Sequence, residues 1–383
     1  MEKHSPVKPS DPFLGVGVVS RNSVDAAITV AYRRRTRLML IPSRRQIDSA
    51  QFGAGYLGWT TSEFAEYVRA RDPERRIELC RDHGGPWMNS REAEIASPSE
   101  ALDSCMRSFS EDIAAGFDLL HIDTSEEGSG AARLQVAIDR LTELYRRCWM
   151  ESCRQAADVA YEIGFEPQGV STNDPDEFKA ALRQVLDGID GIGAPRPRFV
   201  VAQTGTKVAE IGNVGRFHQP EARAETLRAI GTLAAISHEQ GLRLKAHNCD
   251  YLSPEEAALL IDAGVDAFNV APEFGVVETR SLLRVMDELE LDKAKEEFLA
   301  LAFDSLKWQK WMLDPTTAGD VERAVIAGHY VFRAEAGLRI REEVEHELAR
   351  RGCPALDRIL REPVVRRIES HLSSLSLSRR AAR

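Results

Sequence analysis

The segment Asp82-His83-Gly84-Gly85-Pro86 has the residue types best suited to chemistry. An aspartate beside a histidine divides two tasks. The imidazole can hold a divalent cation while the carboxylate moves a proton. The two glycines behind them allow a tight turn of the backbone. Glu166 and His247 stand far along the chain, but each closes a short apolar run, as Asp82 does. His83, Glu166 and His247 form a two-histidine, one-carboxylate set. Such donors suit a divalent metal, zinc first, and leave positions for substrate oxygens. Asp123 and Asp250 offer further carboxylates for acid–base work as counterparts to Asp82. His121 alternates with Asp123 on one strand face.

Around this set lie residues suited to holding a substrate. Ser43-Arg44-Arg45-Gln46 can bind phosphate through guanidinium forks. Gln203 and Asn269 end apolar runs of their own. Lys245 sits one pleat step from His247 and would be the candidate for a Schiff-base mechanism. The neighbouring histidine and the metal-like set favour the metal route to the same carbonyl chemistry.

These residues need elements that bring them together. Eight apolar runs alternate with helical stretches: 14–19, 38–41, 77–80, 117–122, 160–165, 198–202, 242–246 and 265–270. Strand–helix alternation repeated eight times predicts a (β/α)8 TIM barrel. In that fold the C-terminal strand ends converge on one mouth, so Asp82, His83, Asp123, Glu166, Gln203, His247 and Asn269 are expected around one cavity. The expected organisation is a loose tail over 1–12, the barrel over 13–286, and a helical C-terminal extension over 287–383. Ser99 is the expected N-cap of the helix after the third strand.

Bulk properties agree with an enzyme of this size. A chain of 383 residues with 43% hydrophobic content has ample material for a large core. A formal charge of −10 argues against nucleic acid as the main partner. The six cysteines are scattered without a CxxC pair, which predicts reduced thiols and a cytoplasmic location. The polar N-terminus has no apolar core of a signal peptide, and no run approaches the ~20 apolar residues of a membrane span.

The same segments carry a resemblance. The chain is similar to the GatZ/KbaZ-like family, the tagatose-bisphosphate aldolase subunit group related to class II sugar-bisphosphate aldolases. The matching stretches are Gln46-Ile47-Asp48, Gln51 to Gly58, Asp82 to Pro86, His121 to Ser125, Ile163 to Glu166, Val200 to Gly205, His247 to Tyr251 and Asn269 to Pro272. Gly328-His329-Tyr330 resembles the family's late His-Tyr element and adds His329 to the substrate-binding candidates. The chain departs from the family at Asp48, where Asn is usual, and after Tyr330, where Val-Phe replaces Ser-Tyr. The resemblance implies sugar or sugar-phosphate substrates, aldol chemistry assisted by a divalent metal, and either net cleavage or epimerisation by retro-aldol and re-addition. It also implies an alternative, a non-catalytic stabilising subunit of an aldolase complex. A homo-oligomer or an aldolase partner subunit is the expected assembly.

Overall fold

The computed structural model describes residues 12–128, 130–165 and 169–381, with side chains to residue 376. The expected tail therefore lies almost wholly outside the described residues. Eight parallel strands close into a barrel: β1 (Phe13–Val16), β2 (Leu38–Leu40), β3 (Ile77–Arg81), β4 (Leu119–Asp123), β5 (Ala160–Gly164), β6 (Phe199–Ala202), β7 (Arg243–Ala246) and β8 (Ala267–Val270). β8 closes on β1, with Phe13 beside Ala267 and Val16 beside Val270. This is the (β/α)8 architecture that the alternation predicts.

Each strand is followed by a helix: α1 (Arg21–Arg34), α2 (Thr61–Arg71), α3 (Pro98–Ala114), α4 (Leu134–Arg154), α5 (Pro175–Gly191), α6 (Pro220–Glu239), α7 (Pro254–Asp262) and α8 (Pro272–Glu288). Local signals start them. Thr60 with Glu63 and Ser253 with Glu256 form capping boxes. α3 is capped by Ser97, two residues before the expected Ser99, because Pro98 fits the first helical position.

Alternation along the strands splits the core. Outward residues such as Leu79, Leu120 and Ile163 pack beneath the helices. Inward, Met39, Ile41, Cys80, Leu119, Phe199 and Ala267 form a small plug in the barrel. Above that plug the inward positions turn polar. Arg81 points outward, fully buried, and its guanidinium meets Asp112 of α3 at 2.6 and 2.8 Å.

The extension comprises α9 (Asp292–Asp304), α10 (Asp320–Ala327), α11 (Glu335–Arg350) and α12 (Leu356–Ala381). α8 to α11 share a second core built on Leu282, Met286, Phe298, Ala327, Ile340 and Val344. α12 does something different. Its Val364, Val365, Ile368 and Leu375 join the main core of the barrel, and it packs against α1, α7 and α8. The last helix thus completes the outer ring. All six cysteines are free thiols, and among the described residues no helix is long and apolar enough to cross a membrane.

Candidate metal centre at the barrel mouth

The polar layer begins with register. His121 on β4 lies beside Glu162 on β5, and Asp123 beside Gly164. All four face inward. Gly164 is required there, because a Cβ on it would stand 2.6 Å from His121 Nε2. The glycine makes room for the imidazole.

Four donor atoms then form a closed ring. Asp82 Oδ1 is 3.3 Å from His121 Nδ1. His121 Nδ1 is 3.7 Å from Glu162 Oε1. Glu162 Oε1 is 3.5 Å from His247 Nε2, and His247 Nε2 is 3.8 Å from Asp82 Oδ1. The residues are buried. Glu162 Oε1 and His247 Nε2 have no hydrogen-bond partner among the described residues. The backbone N–H of His83 lies 3.3 Å from His121 Nδ1.

Below the ring, Lys245 donates to Glu162 Oε2 at 2.6 Å. Burial would raise the Glu162 pKa, but Lys245 and the two histidines outweigh it and hold the carboxyl down at about 2. Burial likewise opposes the charge on Asp82, yet His83, His247 and His121 keep its carboxyl well below the usual range. Burial pushes His247 down.

His83 takes a different place from Asp82. Its φ of +44° turns the chain out of strand alternation. The ring swings over the mouth, 5.2 Å from His247 and 5.7 Å from His121 between centroids. His83 Nδ1 meets Asp123 Oδ2 at 2.7 Å. Asp123 is itself held by the Ser125 hydroxyl at 2.6 Å and backbone N–H at 3.0 Å. Burial disfavours the His83 cation, but Asp82 and Asp123 overcome it and raise the imidazole to about 9. His83, His121 and Asp123 make a second cluster that shares His121 with the first.

The sequence candidates thus separate into groups. Asp82, His83, Asp123 and His247 converge. Glu166 lies outside the described residues, and Glu162, four residues earlier on the same face of the alternation, contributes a carboxylate to the ring. Ser43 bridges to Asp82 across the strand ends, and Gln46 accepts from Ser43 N at 2.8 Å. Gln203 is held by Gly169 and Asn173 of the β5 loop. Asn269 is buried against Gly15, with both amide ends unpartnered among the described residues.

Three candidates stand apart. Arg44 is sealed from solvent, forked onto Glu92 at 2.7 and 2.8 Å and bonded to Asp48, Ser108 and the Gly85 carbonyl. It braces the turn beneath His83, while its neighbour Arg45 is exposed. Asp250 accepts from the backbone N–H groups of Ala271 and Glu273 at 2.9 Å and so caps the start of α8. Burial and Glu273 raise its carboxyl to about 7. His329 is buried against Gly275 of α8, its ring 4.0 Å from that of Tyr330 and tilted to it by 36°. Burial, then Lys310, lowers it to about 3.

No protein-family model matches the chain, and no curated protein matches it in sequence. Solved structures do. A probable tagatose 6-phosphate kinase from Sinorhizobium meliloti superposes with a TM-score of 0.75 at 18% identity, covering 95% of this chain and 100% of that one. A fructuronate–tagaturonate epimerase from Cohnella laeviribosi gives 0.60 at 13% identity, covering 97% and 82%. A fructose-bisphosphate aldolase from Campylobacter jejuni gives 0.53 at 15% identity, covering 95% and 90%. At these identities the likeness is one of fold: the chain is a (β/α)8 barrel of the architecture these proteins share along nearly its whole length.

Proposed function

We propose that the protein is a divalent-metal-dependent enzyme that cleaves or epimerises a sugar or sugar phosphate by retro-aldol chemistry. The observation that carries this reading is the ring of Asp82 Oδ1, His121 Nδ1, Glu162 Oε1 and His247 Nε2. Its edges run from 3.3 to 3.8 Å. Four tetrahedral donors at ~2.1 Å from one cation would stand roughly 3.4 Å apart, so the set fits. Without a cation, Glu162 Oε1 would stay buried and unpaired, which costs free energy. His121, Glu162 and His247 would hold the metal and leave a position for a substrate oxygen, with the Asp82 carboxylate beside it. A metal bound there supplies Lewis-acid polarisation of a ketose carbonyl.

The chain's own groups handle the protons. His83 and Asp123 form an acid–base pair whose imidazole, unlike the other two, reaches solvent. Asp82 has its second oxygen 3.9 Å from His83 Nε2; Asp82 would take a proton from a substrate hydroxyl, while His83, held as an imidazolium, would give one to a substrate oxygen. Asn269 offers a donor and an acceptor to a polyol. The sugar-directed fold neighbours support the substrate class. A working donor ring favours an enzyme over the alternative of a non-catalytic subunit.

The test is metal content of the purified protein, with turnover of ketoses and ketose phosphates before and after chelation. Stoichiometric metal and loss of turnover with EDTA are expected. Glu162→Gln should lose the metal. His83→Asn should keep it and lose about 10²-fold or more in kcat. Active protein free of metal and indifferent to EDTA overturns the reading.

A further inference from the structure

A loop of the helical extension, between α9 and α10, returns to the barrel mouth. The hairpin that follows β6, Lys207–Ala209 paired with Gly212–Val214, holds it there. Glu210 at the hairpin tip donates its backbone N–H to the Trp311 carbonyl at 2.6 Å. Its carboxylate accepts from the Thr316 hydroxyl at 2.5 Å and from Leu313 N at 3.4 Å. The base of the same hairpin clamps the β7 loop, where Asn213 donates to the carbonyls of Asn248 and Asp250. One hairpin therefore ties the loop after His247 to the segment that carries Lys310.

Lys310 lies against an aromatic wall. Its ammonium is 4.6 Å from the Trp311 ring centroid and 5.5 Å from that of Tyr330. Trp311 Nε1 donates to the Tyr330 hydroxyl at 3.3 Å. Tyr330 packs on Tyr56 at 5.0 Å, and Tyr56 belongs to the β2 loop, which also carries Arg45 and bonds Arg45 through the backbone (Tyr56 N to Arg45 O, 3.1 Å). Lys310 belongs to a surface loop, its ammonium is crowded by these rings, and it forms no ion pair among the described residues. Arg45 Nη2 is 3.4 Å from Glu126 Oε2, an exposed contact. Glu126 stands three residues after Asp123, whose carboxylate holds His83, so the Arg45 guanidinium lies at the rim of the mouth.

Two cations on loops joined through the Tyr330–Tyr56 contact, with one exposed carboxylate for company, leave an excess of positive charge on this side of the mouth. The arrangement costs free energy in the bare protein and gains it when an anion enters. A guanidinium fork beside an ammonium is a donor set suited to phosphate or carboxylate.

We propose that Lys310 and Arg45 form an anion subsite that grips the charged end of the substrate while its carbonyl end faces the ring of Asp82, His121, Glu162 and His247. The proposal deepens the functional reading above and rests on it for the word substrate. It assigns specificity to the extension: an acyclic sugar bearing a terminal phosphate or carboxylate would bridge the two sites. Glu126 holds Arg45 in place until the anion arrives.

The subsite is testable without turnover. Isothermal titration of the full-length protein with inorganic phosphate, and separately with acetate, should show saturable binding of one or both, and the stronger names the anion class. Lys310→Gln and Arg45→Gln should each weaken it about tenfold or more, while Lys310→Arg retains it. In turnover assays the preference for a phosphorylated over an unphosphorylated ketose should fall in the Gln variants. Absence of saturable binding overturns the proposal, as does equal binding by wild type and both Gln variants, which would mark an adventitious ion only. Because phosphate binding needs neither metal nor catalysis, a metal-free inactive protein that still binds phosphate through Lys310 would sink the lyase reading and leave the subsite standing.

Discussion

Lys245 reaches across the barrel interior to Glu162 and leaves only one of that carboxylate's oxygens for the mouth. Oε2 is taken at 2.6 Å, and Oε1 points to His121 and His247. A buried carboxylate would otherwise be driven toward its neutral form. The ion pair keeps it an anion and fixes its orientation, which is what a residue behind the proposed metal ligand would do.

Removing the lysine should therefore damage the site through Glu162. Lys245→Met leaves a buried carboxylate uncompensated and should cost ~3–5 kcal/mol in chemical denaturation. Metal content should fall with it. Borohydride reduction in the presence of a ketose phosphate should leave no adduct at Lys245, because an amine committed to an ion pair is not a free nucleophile. A trapped adduct found by mass spectrometry would restore the Schiff-base route.

Gly164→Ala tests the packing of His121. The added methyl would lie 2.6 Å from Nε2, so the imidazole must shift. The circular dichroism spectrum should remain that of the native fold, with a stability loss of ~1–3 kcal/mol. Metal analysis should nonetheless show weakened binding. An alanine variant with full metal content would mean that His121 is not required to hold it.

Arg44 and Arg45 are adjacent and should behave in opposite ways. Arg44→Met strands Glu92 and Asp48 in the interior and should cost ~3–5 kcal/mol, read as a large drop in melting temperature. Arg45→Met changes an exposed side chain and should cost ~0.5 kcal/mol or less, while raising KM for an anionic substrate. Melting curves and steady-state kinetics on the two variants decide between these roles.

The anion subsite should lose affinity in alkali. Burial, and then Arg45 and Lys307, lower the Lys310 ammonium to about 8, with Glu126 opposing. Tyr330, His329 and Trp311 complete its surroundings. Lysine is charged below its pKa, so sulfate, whose charge is constant here, should bind best below pH 8. Its affinity should then fall by up to about tenfold per unit above it. Lys310→Arg should flatten that profile. An unchanged wild-type profile from pH 7 to 10 would exclude Lys310 from the site.

The alternation of apolar runs and capped helices made the barrel legible from sequence. So did Asp82-His83, Asp123 and His247, because residues at C-terminal strand ends must meet at one mouth. His121 and Glu162 were harder to see. Both lie within strands, where a polar residue in a run such as LLHID or AYEIG signals only that one face is polar. Period two puts His121 in phase with Asp123 and Glu162 in phase with Gly164. Their adjacency, the space left by Gly164, and the reach of Lys245 from two strands away depend on the stagger of a closed barrel. The sequence offers His83 as a metal ligand; its left-handed backbone brings its Nδ1 to Asp123, a contact that strand alternation does not foretell. Lys310 lay beyond any pattern, more than 180 residues from Glu126 in sequence. Local sequence determines which segments form strands and which residue ends each one. Closure of the barrel and docking of the extension decide which side chains share a cavity, because those contacts join residues that no local periodicity relates.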